Sequence, residues 1–182
     1  MSKIIIALGN PGKKYDHTRH NAGFLALDWL VRAWNLEHGT WSKKFESEIL
    51  YTEFKDQNII LVKPQNFMNN SGKAVEAICN FYKINLPKDL LVIHDDTDLP
   101  LGKIKFTESS SSAGHNGIVS IIESLGTQNF HRIRIGVETR QTKTTLPTET
   151  FVLQNFSTDE LQKLQKEIFF RVNLEIEKFI GN

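Results

Sequence analysis

The 182-residue chain is short of several things that would have declared a class outright. It has one cysteine, Cys79. That excludes an intramolecular disulfide framework and a zinc site built on thiolates, and it points to a reducing compartment such as the cytoplasm. Neither sign of charge dominates: 22 lysines and arginines stand against 21 acids, a net charge of +1. No global field draws the molecule to a polyanion, so any nucleic-acid contact must come from a local patch. Long apolar runs are missing too. The opening run 4–8 is far too short for a signal-peptide core or a membrane span, and no membrane association is expected. GxGxxG, GxxxxGK[ST] and GxSxG are all absent. This removes the dinucleotide fingerprint, the P-loop and the serine elbow of α/β-hydrolases.

What is present looks ordinary. Apolar residues make up 40% and charged residues 24%, the composition of a folded domain and not of a disordered chain. Without repeats or a linker, residues 1–182 read as one domain. Two continuous apolar runs, 3–8 and 90–93, predict central strands buried on both faces. Strands are also expected at 49–54 and 59–62, joined by a turn at 55–58, and at 104–106 and 133–137. Helical spacing predicts helices at 22–34 with Asn21 as N-cap, at 71–82 capped by Ser71, at 117–125 and at 158–180. The apolar face of 71–82 would be Ala74, Ala77, Ile78 and Phe81, with Val75 and Tyr82 beside them. In the last helix, Leu161, Leu164, Ile168, Val172, Ile176 and Phe179 form one stripe. Thr158 with Leu161 makes only half a capping box. The fold class is α/β: a single-domain three-layer α/β/α sandwich with a twisted mixed sheet, mixed because a hairpin occupies 49–62.

Ligands in such sheets bind beyond the carboxyl ends of the strands, where Asn10 and Asp95 are expected. Four polar clusters follow apolar elements: Gly9 to Gly12 with Tyr15 and Thr18 to Gly23; Gln65 to Gly72; His94 to Pro100; and Gly114 to Gly117. His20 lies before the first helix and titrates near operating pH, the plain alternative being a helix-start residue without a role. Asp95 with Asp96 and Asp98 admits three readings: oxygen ligands for a divalent metal, a carboxylate partner for a histidine, or a turn. Asn10, Asn69 and Asn116 are neutral amides at three loop tips, able to orient a carbonyl or to cap a turn. Cys79 reads as a core thiol. A hydrolase made from these residues would use water directly, with a histidine base and a carboxylate behind it. Lys103, Lys105, Arg132, Arg134, Arg140 and Lys143 crowd the stretch 99–145, a solvated face or one that meets phosphates.

Taken together, the clusters resemble the bacterial peptidyl-tRNA hydrolase family. The matching strings are Leu8-Gly9-Asn10-Pro11-Gly12, Thr18-Arg19-His20-Asn21-Ala22-Gly23, Phe67-Met68-Asn69 with Ser71-Gly72, His94-Asp95 with Asp98-Leu99-Pro100, Gly114-His115-Asn116-Gly117, and Phe130-His131-Arg132 with Arg134-Ile135-Gly136. They keep the family's order and spacing from residue 8 to about 156. The resemblance implies metal-independent hydrolysis of the ester joining a peptide to tRNA, which recycles tRNA dropped from the ribosome, with no cofactor. It implies His20 as general base, Asp95 as its support and Asn10 as the amide that senses the peptide. Tyr15, Phe67, Asn69 and Asn116 would touch substrate, and Lys103, Lys105 and Arg134 would receive tRNA phosphates. A cytoplasmic monomer without an obligate protein partner is expected. The alternative is an RNA-binding relative without turnover.

Two departures stand out. Ser109 to Ser112 replace a usually glycine-rich loop, which predicts an altered loop shape because serine tolerates left-handed backbone poorly. Asp96-Thr97 replace the usual Glu-Leu after the catalytic aspartate.

Overall fold

The first strand, β1 (Lys3–Ala7), has every residue buried, and this computed structural model, which describes residues 2–144 and 146–181, shows why. Its two faces feed two cores. Ile5 and Ala7 pack under helices α1 (Ala22–Ala33) and α6 (Phe169–Gly181); Ile4 and Ile6 pack under α2 (Ser71–Tyr82) and α3 (Asn116–Leu125). A strand buried on both sides has no need of polar alternation. The remaining strands are β2 (Ser42–Lys44), β3 (Ser47–Phe54), β4 (Gln57–Pro64), β5 (Leu90–Pro100), β6 (Ile104–Ser109) and β7 (Asn129–Glu138). They form one seven-stranded sheet in the order β2-β3-β4-β1-β5-β7-β6. β4, β1, β5 and β7 run parallel, while β2, β3 and β6 pair antiparallel at the margins. The expected three-layer α/β/α sandwich with a mixed sheet is what forms.

The hairpin between β3 and β4 turns on Lys55 and Asp56, both at positive φ (51° and 60°). Two left-handed residues give the twist that matches the flanking strands. The edge strand β2 and a short helix, α4 (Thr148–Val152), carry too few residues for a periodic signal and were not expected.

Several expectations need correction. β5 does not stop at residue 93 but runs through the acids to Pro100, because β7 goes on pairing with it: Asp95 lies opposite Ile135 and Asp96 opposite Gly136. The 158–180 segment is not one regular helix. It is α5 (Thr158–Lys163), a π-turn over Leu164–Ile168, and then α6. The capping box is complete but one residue earlier, with Ser157 as N-cap and Glu160 closing it. Neither Asn21 nor Ser71 caps with its side chain. Ser71 donates to the Met68 carbonyl instead. On α2 the buried face is Ala74, Val75, Ile78 and Cys79, while Phe81 is 55% exposed. Cys79 is a core thiol as expected, and burial pushes it up to about 12. Among the described residues no helix is long and apolar enough to cross a membrane.

Candidate active site

β1 ends at Ala7, opposite Ile93 of β5. Beyond that point β5 continues with β7 on one side and no strand on the other. The gap opened there is a crevice of about 340 Å³. His20, Asp95 and Asn116 line it, together with Ser112 to His115 and with Thr148, Glu149 and Val152 of α4.

Asp95 is 1% exposed and holds the centre. Its Oδ1 accepts from His20 Nδ1 at 2.9 Å and from His115 Nε2 at 2.9 Å. Burial works against its charge, but the two imidazoles outweigh it and hold the carboxyl far below the usual range. For His20, burial opposes protonation; the charge and hydrogen bond of Asp95 outweigh that and raise its pKa above the ordinary 6.5. With Nδ1–H committed to Asp95, the neutral ring presents the Nε2 lone pair.

His115 was passed over in the sequence in favour of its neighbour Asn116. It is the N-cap of α3, its Nδ1 accepting the Ile118 N–H at 3.3 Å. That acceptor role leaves the proton on Nε2, where it reaches Asp95. Histidine is not among the residues that favour N-caps, so no local signal in the sequence marks this one. His94 packs its ring 4.7 Å from that of His115 and donates Nδ1–H to the Asp95 carbonyl. Burial first, and the neighbouring His115 next, drive its pKa well below 6.5, so it stays neutral.

The acids do not converge as metal ligands in the way Asp95, Asp96 and Asp98 suggested. Asp96 pairs with Arg134 and accepts the Asp98 N–H, and Asp98 pairs with Lys143 at 2.6 Å. The donor set that does come together is His20, Asp95 and His115, with ligand atoms within 4.8 Å of one another. Both imidazole N–H groups already point at one carboxylate oxygen.

The asparagines divide. Asn116 lines the His20 crevice, whereas Asn10 lines a neighbouring one of about 390 Å³. Asn10 is fixed on three sides: Asn21 brackets its backbone with bonds of 2.8 and 3.0 Å, and its Oδ1 accepts the Met68 N–H at 2.8 Å. The Asn10 amide N–H₂ is therefore the group left to present. Phe67, 55% exposed, meets Tyr15 edge to face at 6.3 Å, and Asn69 follows on an exposed turn. Tyr15, Phe67 and Asn69 do not line the His20 crevice.

Lys103 and Lys105 are exposed. Lys105 lies directly across from Arg134 in the β6–β7 register. Arg134 is tied to Asp96 and mostly buried, so it is less free than a surface cation. None of Ser109 to Ser112 takes left-handed backbone. The left-handed positions fall on Ala113 (49°) and Gly114 (76°), after the serines. Buried Arg132 grips the loop through the Ser110 hydroxyl at 3.1 Å and the Ser111 carbonyl at 2.9 Å.

A family model described as peptidyl-tRNA hydrolase matches residues 4–181. Peptidyl-tRNA hydrolase of Mycoplasma mycoides subsp. mycoides SC is 48% identical over 180 residues, covering 99% of this chain and 94% of that protein. Its counterpart in Lactobacillus gasseri is 46% identical over 167 residues, covering 92% and 86%. The crystal structure of peptidyl-tRNA hydrolase from Acinetobacter baumannii superposes with a TM-score of 0.82 at 28% identity, covering 99% and 93%. A nearly full-length family match, carried on a fold and a histidine–aspartate centre built from that family's own strings, places this chain in the peptidyl-tRNA hydrolase family.

Proposed function

We propose that the chain hydrolyses the ester between the peptide carboxyl and the 3′-terminal ribose of peptidyl-tRNA, with His20 as general base and Asp95 as its support. The observation that carries this reading is the 2.9 Å contact between His20 Nδ1 and a buried Asp95 carboxylate at the wall of an open crevice. Water attacks the ester carbonyl carbon and gives its proton to His20 Nε2, while Asp95 holds Nδ1–H and balances the imidazolium. The tetrahedral oxyanion then collapses, and the leaving ribose oxygen takes the proton back from Nε2. The products are tRNA with a free hydroxyl and a peptide carboxylic acid, which gives up its proton to solvent as the carboxylate. This is the histidine–aspartate half of the triad logic with water in the place of serine. A general base supplies about 10²–10⁴-fold, roughly 2.7–5.4 kcal/mol, enough help for an ester, which is easier to cleave than an amide.

The donor amides of Asn10 and Asn116 suit a carbonyl oxygen and its developing charge. Lys103 and Lys105 with Arg134 suit tRNA phosphates. Like charges directly across a strand pair disfavour the fold, and an anion bound between Lys105 and Arg134 would relieve that repulsion. Cytoplasmic location and a monomeric state belong to the same reading.

The test is release of peptide from an N-blocked aminoacyl-tRNA in the presence of EDTA, beside the unblocked form and the His20→Ala protein. Cleavage of the blocked ester alone, lost in the variant, is expected. Binding of tRNA without cleavage would replace this reading with that of an RNA-binding relative, and loss of activity in EDTA would call for a metal on the His20, Asp95 and His115 donor set.

A further inference from the structure

Thr148, Glu149 and Val152 of α4 line the same crevice as His20 and Asp95. A five-residue helix has barely one turn and cannot hold itself, so something else keeps this wall in place. The residue before the base packs against it. Arg19 is 6% exposed, and its guanidinium lies 4.7 Å from the ring centre of Phe151 on α4 and 5.1 Å from that of Phe156 just beyond it. Nη1 donates to the Asn155 carbonyl at 2.6 Å, and Nη2 donates to both oxygens of Glu160, at 2.7 and 2.9 Å. The backbone joins in: Arg19 N–H donates to Gln154, Phe156 N–H donates to His17, and Thr18 bridges Asn155. Arg140 sits 4.2 Å from the same Phe151 ring and donates to the Leu146 carbonyl, with Glu138 beside it.

We propose that Arg19 is a positioning residue that holds the α4 wall at a set distance from the general base, through Phe151 and Glu160. The proposal rests on the hydrolase reading above. Lysine would keep the charge but not the planar fork that meets two rings, a carbonyl and a carboxylate at once. Contacts that order a wall of the crevice act on the orientation of bound substrate. They leave the Asp95–His20 bond alone.

The experiment compares Arg19→Lys, Glu160→Gln and the double variant with wild type. It reads kcat and KM on the N-blocked aminoacyl-tRNA ester, the pH profile, and amide hydrogen exchange over 148–156. Glu160→Gln is the informative partner because glutamine still closes the capping box with Ser157, so α5 keeps its start even if Arg19→Lys folds poorly. Each single variant is expected to lose about tenfold in kcat/KM with the pH midpoint in place and to exchange faster over 148–156, and the double variant to be no worse than Arg19→Lys alone, since both remove the Arg19–Glu160 contact. Wild-type kcat/KM in both single variants, additive losses, or unchanged exchange over 148–156 would overturn the proposal. A wild-type protein that leaves the ester intact would instead overturn the hydrolase reading, and the exchange data would still decide whether Arg19 clamps α4.

Discussion

At the scale of single residues, Asp95 is the pivot because two imidazoles share one of its oxygens. His20→Ala is expected to leave the fold intact and to remove more than nine-tenths of turnover, checked by steady-state rates beside the circular dichroism spectrum. The ionisation has a definite sign. Because the His20 pKa is raised above 6.5 in the fold, kcat/KM is expected to rise with pH through a midpoint above 6.5. Asp95→Asn takes away the charge that raises it and leaves the burial that lowers it, so the midpoint should move down while the plateau falls by about 10²-fold or more. A pH–rate profile of the two proteins checks both parts. By the same linkage, protonated His20 contributes stability that is complete below about 6.5 and is lost as pH rises through the higher folded value. His20 and Asp95 both stood out in the sequence. Their partnership did not, since 75 positions separate them and only packing brings them within hydrogen-bond distance.

At the scale of elements, the site depends on how closely helices sit on the ends of strands. Gly23, at the start of α1, would place an added Cβ 2.5 Å from the Ile93 carbonyl and 2.6 Å from the Leu8 carbonyl. Those two residues precede the segments that bear Asp95 and Asn10. Gly23→Ala is therefore expected to cost about 1–3 kcal/mol by overpacking, seen in denaturant unfolding, and to lower kcat by shifting His20 from Asp95. His115 has two duties that substitution can separate. His115→Ala removes both the α3 cap, worth about 1 kcal/mol, and one donor to Asp95. His115→Asn keeps a side chain able to cap, so stability should largely return while activity stays low; equal recovery of both would show that the cap alone matters. The sequence carried α1 and α2 by periodicity, to within a residue or two. It did not carry the π-turn at Leu164–Ile168, because the stripe Leu164, Ile168, Val172, Ile176 and Phe179 stays buried across it and the apolar spacing reads as continuous. β2 and α4 were illegible for the opposite reason: three and five residues do not make a period.

At the scale of the whole molecule, a net charge of +1 supplies no global field for a polyanion, so the proposed tRNA contact has to come from one face. Binding is expected to weaken as salt rises, and Lys105→Ala should reduce the log–log salt slope by about one, with little effect on cleavage at saturating substrate. Arg134→Ala should do more than remove the proposed phosphate contact, because it strands the buried Asp96 carboxylate. A loss of thermal stability in that variant, absent from Lys105→Ala, would distinguish the two roles.

The sequence by itself determined the α/β layers, the buried central strands and the polar strings that mark the family, since these follow from local periodicity and from residue types at short spacing. Only the tertiary structure decided which of those residues meet. Where β1 stops, β5 goes on beside β7, and that difference in strand length opens the crevice and sets Asp95 between two histidines from distant parts of the chain. Strand length of this kind is set by the partner across the ladder, and no property of residues 94–100 taken alone reveals it.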